Sequence, residues 1–76
     1  MDAADLELIE RLVPSNPELR HLWLQHGHYK EQLLELERVH HPSEQERREI
    51  GRVKRLKLRG KERITAMLDR HREGMA

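Results

Sequence analysis

The chain has 76 residues, 36% hydrophobic and 38% charged, with a formal net charge of +1. That composition excludes a thick globular core, and no apolar run approaches the roughly 20 residues that span a bilayer. Having no cysteine, the chain can form neither disulfides nor thiolate metal sites, which fits a reducing compartment.

The first residues, MDAADLELIE, are acidic and lack the basic-then-apolar order of a secretory signal, so a cytoplasmic location is expected. The small net charge hides an asymmetry. Residues 1–43 carry four Lys/Arg against eight Asp/Glu, while residues 44–76 carry eleven against six. Either the two halves neutralise each other on folding, or the basic half faces an external anion.

The first element is a short helix from about Ala3 to Val13, with Leu6, Leu8, Ile9, Leu12 and Val13 spaced like one helical face. Pro14 ends it, because proline disfavours helical geometry in the residue before it and cannot donate a backbone bond. Ser15-Asn16-Pro17-Glu18 then reads as a helix start. Asn16 caps, Pro17 suits the first helical position, and Glu18 lies near the positive end of the helix dipole.

The second helix is expected from Pro17 to about Val39, broken at His40, His41 and Pro42. Ser43-Glu44-Gln45-Glu46 forms a capping box in which Ser43 and Glu46 satisfy each other's backbone N–H groups. A third helix follows to about Arg72, and Gly74 is a natural stop. No strand pattern, low-complexity tract or repeat is present.

The two long helices carry matching stripes. Leu19, Leu22, His26, Tyr29, Leu33 and Leu36 recur at alternating steps of three and four. Ile50, Val53, Lys57, Gly60, Ile64 and Met67 do the same. Both are heptad seams, which pack helices flank to flank at a shallow angle. The short connection makes them antiparallel neighbours. Facing pairs are then Leu36 with Ile50, Leu33 with Val53, Tyr29 with Lys57, His26 with Gly60, Leu22 with Ile64, and Leu19 with Met67. On this register the His26 ring fills the space that Gly60 leaves; otherwise Gly60 is a local weak point with no partner.

Metal chemistry and catalysis find little support. His21, His26, His28, His40, His41 and His71 do not fall at the three- or four-residue spacing that puts two ligands on one helical face. Ser43 lies near His40 and His41, but its capping role accounts for it, and a thin hairpin offers no pocket. No catalytic residue, metal site or cofactor is expected, and the chain is not read as an enzyme.

Two surfaces remain. Arg48, Arg52, Arg55, Arg59 and Arg63 line the face of the third helix that points away from the seam, a column long enough to track several phosphates. It lacks interleaved aromatics and is diluted by Glu49, Glu62 and Asp69. Lys54, Lys57 and Lys61 sit nearer the seam, with stems on apolar neighbours and heads outward. The second surface is apolar: Trp23, Leu24, Leu34, Leu56 and Leu58 fall off the seam. Two helices alone rarely bury enough to be stable at this size. Either the first helix folds back near Trp23, or a second chain adds its hairpin to make a four-helix bundle.

Asn16-Pro17 followed by Leu19, Leu22, His26, Leu33 and Leu36, and then Val53-Lys54, Lys57-Leu58, Lys61-Glu62 and Ile64, resembles the YdcH-like small bacterial proteins. The resemblance spans about residues 5–68. Tyr29-Lys30 stands where that family usually has Leu-Asp, and Gly60 where it often has an apolar residue. The resemblance implies a helical, coiled-coil-like fold and no established activity, catalytic residue or cofactor.

The sequence therefore predicts an all-α fold: an antiparallel, coiled-coil-like two-helix hairpin with a short N-terminal helix, one small domain over residues 1–76. Its expected partners are a second copy of itself or another protein, not a membrane. The alternative is a nucleic-acid-binding accessory protein that uses the arginine column. On that alternative, binding to generic nucleic acid falls steeply with salt, and Arg55→Glu with Arg59→Glu abolishes it; a double variant that binds like the parent removes the column from consideration.

Overall fold

The computed structural model describes residues 1–75. It is all-helical: α1 spans Ala3–Leu12, a single 3-10 turn covers Val13–Ser15, α2 spans Pro17–Glu37 and α3 spans Glu44–Met75. No strand occurs among the described residues. The molecule measures 49 × 21 × 17 Å. Its long dimension is that of α3 itself, since 32 residues at about 1.5 Å rise give roughly the same length.

Local chemistry sets each helix start. The Asp2 carboxylate accepts from the Asp5 N–H at 2.9 Å and opens α1. The Asn16 side chain accepts from the Leu19 N–H at 3.0 Å, with Pro17 at the first helical position. The expected capping box is complete. The Ser43 N–H donates to Glu46 at 3.0 Å, and the Glu46 N–H donates to the Ser43 hydroxyl at 3.1 Å. The Ser43 N–H, and after it the Ser43 hydroxyl, hold the Glu46 carboxyl below its usual range.

The helix ends differ from the sequence reading in three places. First, α1 stops at Leu12, and Pro14 lies inside the 3-10 turn, where its missing N–H costs little. Second, α2 stops at Glu37, not Val39. The Arg38 N–H bonds back three residues to Glu35, tightening the last turn, and Val39 stays 41% exposed with no packing to prolong the helix. Third, α3 continues through Gly74 to Met75. A glycine stops a helix by turning left-handed, and no described glycine has a positive φ.

Burial follows the predicted stripes with one addition. Leu19, Leu22 and Leu33 of α2 are buried, as are Val53, Ile64 and Leu68 of α3, and α2 packs closely on α3. Leu68 was not on the expected seam. It is buried because α1 covers that side. Leu8 and Ile9 of α1 join Leu19, Leu22, Ile64 and Leu68 in one apolar cluster, and Trp23, Leu12, Val13 and Met67 pack against it. The first helix thus folds back over the Trp23 region. An ion pair reinforces it: Arg72 donates to Asp5 at 2.7 Å and holds that carboxyl below its usual range.

Gly60 corrects the expected packing. A Cβ placed there would meet no atom within 4 Å, so Gly60 makes no room for the His26 ring. His26 instead stacks on Trp23 of its own helix, with ring centroids 5.5 Å apart and planes 13° from parallel. Gly60 is the local weak point. Gly60→Ala is therefore expected to stabilise the fold by about 1 kcal/mol. In thermal melts that is a Tm increase of roughly 4–8 °C; a decrease would mean that the position does need its empty space.

Candidate interaction surface

The structure separates the five off-seam apolar residues. Trp23 is half-buried, occupied by the α1 cluster and by the His26 stack. Leu24, Leu34 and Leu58 are 67%, 64% and 55% exposed. Leu56 is half-buried. It cannot share a surface with Leu58, because two residues along a helix is a rotation of about 200°.

Leu34 and Leu58 do come together. They open onto one groove between α2 and α3, of about 500 Å³, with buried Leu33 beneath them. Helical spacing aligns the rim. Lys30, Leu34 and Glu37 fall on one side of α2, and Lys54, Leu58 and Lys61 on one side of α3, with Lys57 beside them. Glu37 is the one acid lining the groove, and it lies 3.7 Å from Lys54. On its other side Leu34 borders an acidic hollow with Glu31, Glu35 and Glu49. The groove adjoins a smaller notch where Met1 and Leu6 approach Trp23 and His26, and Lys30, Lys57 and Lys61 line both.

Lys30 is the residue that sequence reading missed. Taken singly it is one charge on α2. Its signal lies in the Lys30-Leu33-Leu34-Glu37 spacing, which matches Lys54-Leu58-Lys61 only once the two helices are side by side.

The arginine column is partly spent within the chain. Arg48 bonds Glu44 at 2.8 Å, Arg52 grips Glu49 through two nitrogens, and Arg63 lies 3.7 Å from Glu18. Arg55 and Arg59 make no ion pair among the described residues. Exposed pairs of this kind contribute little to stability, so they interrupt the column electrostatically more than they stabilise the fold.

Among the described residues no three His, Asp or Glu side chains gather as a metal site, and no helix is long and apolar enough to cross a membrane. No protein-family model, curated protein or solved structure matches the chain.

The most perturbed environment beside the groove is that of His26. Its Nδ1 is buried without a hydrogen-bond partner. Burial lowers its pKa from the ordinary 6.5, and the nearby charges of Lys57, Lys30 and Lys61 lower it further. The folded state therefore binds this proton less readily than the unfolded state does. His26's contribution to stability is complete above pH 6.5 and is lost as pH falls through the lower folded-state value. Melts across about pH 8 to 5 should show this loss, and His26→Leu should flatten that part of the slope. An unchanged slope in the variant would mean that His26 does not couple to folding.

Proposed function

We propose that this chain is a protein-binding module without chemistry of its own: an antiparallel, coiled-coil-like hairpin of α2 and α3, braced by α1. The antiparallel arrangement is supported by two ion pairs. Glu37, at the end of α2, pairs with Lys54 near the start of α3, while Glu18, at the start of α2, pairs with Arg63 far along α3. The six-residue link between Glu37 and Glu44 agrees with it. Kinship with the YdcH-like proteins, drawn from Asn16-Pro17 and the residues that follow, is part of the same reading.

The observation that carries the reading is the pair Leu34 and Leu58. Both are more than half exposed over a shared groove, in a chain with few large apolar residues to spare. Covering a leucine fully is worth about 1.5–3 kcal/mol, which a contacting protein would gain. Leu24 is exposed over a separate hollow, which it lines with Trp23, Lys30 and Glu31. Either a second copy or a different protein could supply the cover. Arg55 and Arg59 lie outside this surface.

A photo-crosslinking side chain at position 34 tests the reading, with position 59 as control. Position 34 should give a discrete adduct, either with a second copy in purified protein or with another protein in native lysate. Leu58→Glu should suppress it while circular dichroism stays helical. If positions 34 and 59 label alike, the leucine pair is not a contact surface.

A further inference from the structure

We propose that the groove between α2 and α3 receives an acidic amphipathic helix of a partner protein, with leucine-type side chains on Leu33, Leu34 and Leu58 and carboxylates on the lysine rim. This rests on the reading of the chain as a protein-binding module and names what that module binds.

Charge is the first argument. Lys30, Lys54, Lys57 and Lys61 surround an apolar floor. The only acid there, Glu37, is paired to Lys54. Lys30, Lys57 and Lys61 have no ion pair among the described residues. Their stems can lie along the leucines while their heads stand at the rim, where they repel one another until carboxylates arrive. Burial, and after it these same three ammonium groups, lower the proton affinity of His26 beside the groove.

The second argument is α1. It is itself a short acidic amphipathic helix, with Asp5, Glu7 and Glu10 against a single Arg11. It seats Leu8 and Ile9 on the α2–α3 pair and anchors Asp5 to Arg72 at 2.7 Å. Its start abuts the groove, because Met1 and Leu6 share Lys30, Lys57 and Lys61 with it. The face therefore already accepts one helix of this chemistry, and the groove is its uncovered continuation.

Competing occupants fit less well. A two-fold that laid groove on groove would set lysines against lysines. Nucleic acid offers nothing for the leucine floor, and no aromatic lines the groove to stack a base. A helix with apolar residues at i, i+3 or i+4, and i+7 supplies both the floor contacts and the flanking charges.

The test is fluorescence anisotropy with the full chain and a labelled peptide of about 14 residues, carrying leucines at those positions and glutamates elsewhere. Saturable binding that weakens with salt is expected, at least about tenfold weaker for Lys57→Glu with Lys61→Glu and abolished by Leu58→Glu. Should the glutamate variants lose helicity, Lys57→Gln with Lys61→Gln reads the same effect. Equal binding of a peptide with lysines in place of the glutamates would overturn the acidic class while leaving the apolar contact surface standing. Failure of both peptides would overturn the surface as well. Displacement by a single-stranded oligonucleotide at equal affinity would make the groove a general anion site, and a chain that sediments as a dimer until Leu58→Glu splits it into monomers would make the occupant a second copy; either result overturns the proposal.

Discussion

Leu19, Leu22 and Leu33 on α2 and Val53, Ile64 and Leu68 on α3 are the buried stripe against which everything else in this chain is placed. With so few apolar residues available, the stripe must be narrow, and a narrow stripe dictates an elongated pair of helices. The radius of gyration is 15.0 Å, where a compact domain of this length would have about 11 Å. In so thin a molecule every α2 and α3 side chain off the stripe lies near solvent. The unused leucines therefore become surface features and cannot serve as core.

Adding α1 changes one end of that pair and leaves the other open. Ile9 and Leu8 complete a three-helix cluster with Leu19, Leu22, Ile64 and Leu68. Trp23 is partly covered there, and Leu68 becomes core. Toward the bend no third helix is present among the described residues, and the same side of the α2–α3 pair is left as the lysine-rimmed groove. Groove and core are thus one face, closed at one end and uncovered at the other.

Folding also resolves much of the charge asymmetry along the chain. Asp5 with Arg72, Glu18 with Arg63 and Glu37 with Lys54 each join the acidic first half to the basic second half. Arg48 and Arg52 are met by acids of their own helix. Among the described residues, positive charge without an ion pair is left at Lys30, Lys57 and Lys61 in the groove, at Arg55 with Arg59, and singly at Arg11, Arg20, Arg47 and Arg70. Only the first is combined with exposed leucines.

Much of this was legible in the residues. Caps are read from local pattern, since Asn16 and Ser43 act within three residues of themselves. The stripes are likewise read from spacing, because helical periodicity alone decides which side chains share a face. Helix ends were harder. Val39 and Gly74 each carry a signal whose outcome depends on whether anything packs beside them, and that information lies far away in the chain.

Helices, their starts and most of each buried stripe are readable from the residues, because those follow from bonds and contacts within a turn or two. Packing between helices settled the remainder. It left Gly60 facing open space and His26 stacked on Trp23, and it drew Leu68 into the core. It also divided the five spare apolar residues, leaving Leu34 with Leu58 among four lysines. Burial of Leu68 depends on which side of the α2–α3 pair α1 occupies, and the meeting of Leu34 with Leu58 on how α2 lies against α3, choices set by long-range packing that no local spacing encodes.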